Sequence, residues 1–273
     1  MHLNIINTDK INVCFLGDMH GNMDALSQMV KRTDMNNVLY IGCGDIGLGF
    51  DKPENYKGVF NRLSKTAHKY DVEFMFLRGN HDDPSYFDGK KINRKYIKAI
   101  PDYTVICTPI WNILCVGGAI SIDRTNRVCA MRENALKYSV YHNCTIETAE
   151  LSVPKYYWSD ESPVYDEEAL NGLNEKKIKI DVLAAHTCPS FAPPLSKDGI
   201  KWWLRVDPNL NEDLVKERDI MDLIYHKLKN DGHPLKKWIY GHYHNHTQQY
   251  IDNVQFVMLD MCRNGILDVF EMF

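Results

Sequence analysis

The chain has 273 residues with 32 Lys plus Arg, 36 Asp plus Glu and a formal charge of −4. With 44% hydrophobic and 25% charged residues it has the balance of a folded globular protein, not of a disordered chain or a basic nucleic-acid binder. A chain of this length buries a sizeable core without staples, and a single domain over 1–273 is the expected organisation. The longest apolar run, 113–120, contains two glycines and is far short of the roughly 18 residues of a membrane span. The N-terminus lacks a basic segment followed by an apolar core, so no signal peptide is expected. Eight cysteines without a CxxC pair, three of them (Cys14, Cys107, Cys115) in apolar strand-like runs, predict reduced thiols in a cytoplasmic protein.

In chain order, 11–16 is a short apolar run stopped by Gly17 and predicts a buried strand. A helix over 22–32 follows, with Ala25, Leu26, Met29 and Val30 on one face and Asn22 as the expected N-cap. Strand 37–41, helix 54–70 and strand 72–77 continue the alternation, which predicts sheet strands joined by crossover helices. Residues 104–108 and 111–116 read as a hairpin around Pro109. Residues 119–178 lack a clear period and are expected as an excursion from the core, helical from Asp166 onward. A second excursion is expected over 187–210. Strand 180–185, helix 211–229 and strands 237–240, 248–251, 254–259 and 266–270 complete the pattern.

The chemistry-bearing residues cluster where these strands end. Asp18-Met19-His20-Gly21 follows the first strand, Gly44-Asp45 the second and Gly79-Asn80-His81-Asp82 the third. Ala185-His186 and Gly241-His242-Tyr243-His244 follow two later strands. Ligands of open α/β sheets bind outside the carboxyl ends of strands, so five strand ends deliver carboxylate, amide and imidazole donors to one edge. Those donors suit hard-to-borderline metal ions. Each piece alone reads as a turn, a cap or an interior histidine. Their coincidence at five strand ends makes that blander reading improbable.

As a set, these motifs resemble the calcineurin-like metallophosphoesterase superfamily. The resemblance implies a four-layer α/β/β/α sandwich with mixed sheets and a dinuclear metal site. It assigns Asp18, His20, Asp45 and His244 to one ion and Asp45, Asn80, His186 and His242 to the other, with Asp45 bridging. The implied cofactors are two divalent ions (Mn, Fe or Zn, with Mn slightly preferred), and the implied reaction is attack of a metal-bridging hydroxide on a phosphate mono- or diester. His81 is the family's candidate to contact phosphate or protonate the leaving oxygen. The chain departs from the serine/threonine phosphatase branch, whose second motif continues to Asp-Arg-Gly: Leu48 and Gly49 stand here for the Asp and the Arg. A second segment, Gly117-Gly118-Ala119-Ile120-Ser121-Ile122-Asp123-Arg124, is similar to bacterial and phage metallophosphoesterases and is followed by Tyr157-Trp158-Ser159-Asp160-Glu161. On that resemblance Arg124 is expected either to replace the missing phosphate-binding arginine or to form an ion pair.

Lys90, Lys91, Arg94, Lys95 and Lys98 form a basic run read as a solvated face or a steering rim for anions. Trp202 and Trp203 are candidates for a substrate wall, an oligomer contact or ordinary packing, and His246 for a rim residue. The expected partner is a phosphate ester, with a nucleotide or nucleic-acid end among the candidates, and no membrane. A nuclease and a non-catalytic scaffold of the same fold are the competing readings.

Overall fold

The computed structural model describes residues 3–194 and 199–273. The chain runs through β1 (Asn4–Asn7), β2 (Asn12–Leu16), α1 (Asp24–Thr33), β3 (Val38–Cys43), α2 (Pro53–Tyr70), β4 (Val72–Leu77) and β5 (Ile97–Ala99). The hairpin β6 (Thr104–Cys107) and β7 (Asn112–Val116) leads to helices α3 (Arg124–His142), α4 (Ile146–Glu150) and α5 (Glu167–Glu175). Then come β8 (Val182–Ala185), α6 (Trp203–Val206), α7 (Leu210–Asn230), β9 (Lys237–Tyr240), β10 (Thr247–Ile251), β11 (Val254–Met258) and β12 (Val269–Met272).

One sheet has the order β12-β2-β3-β4-β5, parallel from β2 to β5 with β12 antiparallel at the edge. The other has the order β1-β6-β7-β8-β9-β11-β10 and is mixed. Three apolar cores define the layers. Between the sheets, Phe15, Ile41 and Leu77 pack with Ile113, Ile239 and Val257. Outside the first sheet, Leu26, Met29, Phe60 and Leu63 of α1 and α2 cover Tyr40 and Phe74. Outside the second, Leu170 of α5 and Met221, Ile224 and Leu228 of α7 cover Leu183 and Trp238. The arrangement is the α/β/β/α sandwich. Strands buried on both faces are continuously apolar, which is why β2, β3, β4 and β8 were readable as apolar runs.

Three features differ from the sequence reading. Asn22 is not the cap of α1: the helix begins one residue later with Met23 at the cap position, and Asn22 precedes it with its Nδ2 3.6 Å from Cys262 Sγ. The excursion 119–178 is helical well before Asp166, because α3 runs for 19 residues. Among its side chains Ala135 and Ser139 are buried, while Leu136, Val140 and Tyr141 are exposed, so no apolar stripe announces it. The short strands β1 and β5 carry too few residues to show a period. Asp166 does start a helix, its side chain accepting the N–H of Ala169 at 2.9 Å. All eight cysteines are free, with Cys14 and Cys115 buried and Cys107 partly so. Among the described residues no helix is long and apolar enough to cross a membrane.

Candidate metal centre

β2, β3 and β4 end side by side in one sheet and β8 and β9 in the other, so their carboxyl ends meet across the inter-sheet core. The loops after β2 and β3 are tied by backbone bonds: Met19 and His20 both donate to the carbonyl of Asp45, at 2.9 and 2.8 Å. Asp82 fixes the loops after β3 and β4. Its buried carboxylate accepts the N–H groups of Ile46, Gly47, Leu48 and Gly79 at 2.7–3.2 Å. Burial and the neighbouring Asp45 push the Asp82 carboxyl up to about 6, against the pull of those donors. These hydrogen bonds of Asp82 all go to backbone groups, not to the His81 ring.

Four of the expected ligands sit in the left-handed backbone region: His20 (φ 45°), Asp45 (φ 50°), His242 (φ 74°) and His244 (φ 51°). Each such residue costs on the order of 1–3 kcal/mol and persists only where its surroundings enforce it. Two glycines allow the crowding. A Cβ on Gly79 would strike the carboxylate and amide of Asp45, and one on Gly241 the carboxylate of Asp18.

The donors converge. Asp18 Oδ2 lies 3.3 Å from His244 Nε2 and 3.9 Å from His20 Nε2, and the two imidazole nitrogens are 3.2 Å apart. His186 Nε2 lies 3.1 Å from Asp45 Oδ1 and 3.0 Å from Asn80 Oδ1. His186 Nδ1 donates to the carbonyl of Cys43 at 2.6 Å, which leaves Nε2 facing inward. The His242 ring packs 5.1 Å from that of His186, and its backbone N–H donates to Asp18 at 3.1 Å. Asp18, His20 and His244 bring ligand atoms within 4.8 Å of one another, as do Asp18, Asp45 and His186, and as do His20, Asp45 and His81. Asp45 Oδ1 accepts the His81 N–H at 2.8 Å, but the buried Oδ2 has no hydrogen-bond partner. An orphaned carboxylate oxygen amid clustered imidazoles is the environment that cations resolve, so the residues present fit a metal centre.

Titration follows from this crowding. Burial opposes the charge of Asp45, yet His186, His81 and His20 hold it well below the usual carboxylate range. Burial opposes the charge of His186 too, but Asp45 and Asp18 outweigh it and push the imidazole up to about 10. Burial next to His186 holds His242 well below its usual range. His244 is raised by its hydrogen bond to Asp18.

Above Asp45 opens a cavity of about 410 Å³, lined by Asn80, His81, Ile122, Asp123, Arg127, Trp203, Tyr243 and the paired histidines. Arg127, from the first turn of α3, was not singled out in the sequence. Its Nη2 is 2.6 Å and its Nη1 3.0 Å from the two ring nitrogens of His81, while its Nε donates to Asp123 at 2.6 Å. Burial, with Arg127 and His20 adding to it, lowers His81 to about 4 despite Asp45. Arg124 points elsewhere: Nε is 2.6 Å from Asp207 and Nη2 2.7 Å from Asp213. The ion-pair alternative for Arg124 is the one observed, because the helix turns a neighbouring guanidinium, three residues on, into the cavity. The signal for Arg127 in the sequence is that it is a second arginine within the same first helical turn.

Two further residues orient the site. Asn80 Nδ2 donates to Ser121 Oγ at 2.9 Å, and Ser121 Oγ donates to the buried Glu161 at 2.6 Å. This chain turns the Asn80 carbonyl oxygen toward His186. Arg78 anchors the same segment, binding Asp102 at 2.9 Å and the carbonyls of Asp160, Glu161 and Ser162 at 2.8–3.1 Å. Trp203 lines the cavity, whereas Trp202 is half exposed. His246 bonds Asp268 at 2.7 Å, away from the cluster. Lys91 and Arg94 line a separate cavity of about 490 Å³ beside α2.

The chain belongs to the calcineurin-like phosphoesterase family, whose model matches residues 11–246. Among solved structures it is similar to a dimetal phosphatase from Danio rerio, at 14% identity and a TM-score of 0.48, over 93% of this chain and 88% of that one. It is also similar to GAP50, described as the anchor in the inner membrane complex of Plasmodium, at 13% identity and a TM-score of 0.38, over 90% of this chain and 71% of that one. A third likeness is to phosphopantetheinyl hydrolase from Mycobacterium tuberculosis, at 11% identity and a TM-score of 0.35, over 96% of this chain and 91% of that one. No curated protein matches the chain.

Proposed function

We propose that this chain is a metal-dependent phosphoesterase that hydrolyses a phosphate mono- or diester in the cavity above Asp45. The observation that carries this reading is Asp45 Oδ2, buried and unpartnered among imidazoles beneath a cavity that also holds a guanidinium. Asp18, His20, Asp45 and His244 would hold one divalent ion, and Asp45, Asn80, His186 and His242 a second. When bound, such ions lower the proton affinity of water and offset charge on phosphoryl oxygens. Mn, Fe and Zn all suit this mixed N/O set.

The chain's own groups do the rest. Arg127 presents a planar cation to the cavity, and Asp123 and the Tyr156 carbonyl fix its orientation. His81, neutral at pH 7, offers an N–H to a phosphoryl or leaving oxygen instead of serving as a proton-loaded acid. Arg127 sets the ring orientation of His81, the task left open by Leu48 and Gly49. A small ester suits the site better than a polynucleotide, because Lys91 and Arg94 of the basic run serve a different cavity. The eight free thiols are in keeping with a reducing, cytoplasmic setting.

The test compares p-nitrophenyl phosphate with bis-p-nitrophenyl phosphate, with Mn²⁺ added and Asp45→Asn as the blank. Asp45-dependent turnover is expected, and the preferred compound separates monoesterase from diesterase. Tight metal binding with no turnover of either would favour the scaffold reading.

A further inference from the structure

A second cavity, also about 410 Å³, opens beside the one above Asp45. The two share Ile122, His242 and Tyr243 as a common wall. Beyond that wall the lining turns apolar, with Pro194, Ile200, Leu214 and Val215. Leu214 and Val215 project from the first two turns of α7, and Val215 is left 52% exposed.

Of the polar groups here, which include Asn211 and Asp219, Arg218 and Ser190 are already engaged. Arg218 donates to Tyr243 Oη at 2.6 Å and to Cys188 at 2.7 Å (carbonyl) and 2.9 Å (sulfur), with its guanidinium over the Tyr243 ring. Ser190 gives both its N–H and its hydroxyl to Asp222, at 2.7 and 2.6 Å. Thr187 joins Glu217 of α7 at 2.7 Å to Tyr243 at 2.8 Å. The helix that carries the apolar lining is thereby tied to the loop that carries His242 and His244.

We propose that this groove is the subsite for the organic part of the substrate, and that the substrate class is a phosphate ester bearing an apolar alkyl or aryl group. The proposal rests on the phosphoesterase reading for what occupies the first cavity. A phosphoryl group there leaves its ester substituent to continue past Ile122 and Tyr243, where each buried methylene is stabilising. A concave apolar surface beside a few convergent polar groups is the usual form of a small-molecule site.

Two measurements test it. With Mn²⁺ added, kcat/KM is compared for ethyl and hexyl phosphate, whose leaving alcohols have nearly the same acidity. The wild-type protein is expected to favour hexyl phosphate by about tenfold or more, and Leu214→Asp and Val215→Lys to bring the ratio close to one. Equal rates in the wild type, or a ratio untouched by both substitutions, would overturn the subsite. Independently, 2-naphthol is titrated by fluorescence into the metal-free protein. Saturable binding that Leu214→Asp weakens about fivefold or more supports the groove, and binding indifferent to the substitution overturns it. If neither monoester is hydrolysed, the monoesterase reading falls, turnover of bis-p-nitrophenyl phosphate decides the diesterase reading, and the naphthol titration alone decides the groove.

Discussion

The centre is built from two regions of unlike origin. Its floor comes from strand ends: Asp18, Asp45, Asn80, His186 and the paired histidines sit directly after β2, β3, β4, β8 and β9. Its roof and one wall come from the excursion between β7 and β8, which supplies Ser121, Ile122, Arg127 and Glu161. The floor is held by sheet register and by backbone bonds between adjacent loops, so its geometry is rigid and its residues lie close to their strands. The wall is held by a few side-chain anchors, chiefly Arg78 on residues 160–162 and Arg124 on Asp207 and Asp213. Donor chemistry is therefore concentrated in the floor, and the proposed substrate contacts lie in the wall.

That division is open to direct attack. The largest effect belongs to the floor. Asp45→Asn removes the shared carboxylate and is expected to lower kcat/KM for a p-nitrophenyl ester by at least about a thousandfold, and chelation followed by Mn²⁺ should abolish and restore wild-type turnover. A wall residue comes next. Arg127→Ala is expected to cost about 100- to 1,000-fold in kcat/KM while leaving metal affinity near the wild-type value, read by calorimetric titration. A large loss of metal affinity in Arg127→Ala would erase the distinction between floor and wall.

Smaller effects test the links between the two. Ser121→Ala frees the Asn80 amide to rotate and should weaken metal binding about 10- to 100-fold in the same titration. Arg124→Ala should leave Asp207 without its cation and Asp213 with Lys216 alone, and destabilise the fold by about 1–2 kcal/mol in urea unfolding. An activity loss in Arg124→Ala as large as that in Arg127→Ala would restore Arg124 as the phosphate-binding residue. The gentlest test is pH. Burial pushes Glu161 from 4.5 up to about 8, so the folded state holds a proton that the unfolded chain has released. Its contribution to stability is fully present below about pH 4.5 and is lost as pH rises through about 8. The slope is at most about 1.4 kcal/mol per pH unit, and Glu161→Gln should flatten it.

How much of this was legible depends on how each part is encoded. Short apolar runs stopped by Gly17, Gly42 and Gly79 located β2, β3 and β4, and the donors followed within a few residues. The wall gave no such signal. α3 exposes Leu136, Val140 and Tyr141 and shows no apolar stripe, so neither its extent nor its first-turn face was readable. The choice between Arg124 and Arg127 turned on three residues of helix phase. Glu161 reaches Ser121 across 40 positions, a pairing without local periodicity.

The sequence by itself determined the β-α-β alternation, the donor types and their placement at strand ends, because these are local consequences of burial and turn chemistry. The tertiary structure alone decided which guanidinium enters the cavity, what turns the Asn80 amide, and that a second, largely apolar groove adjoins the donor cluster. Those outcomes depend on how α3 and α7 dock against the sheet edge. Docking is set by contacts between residues far apart in the chain, and such contacts leave no period in the sequence.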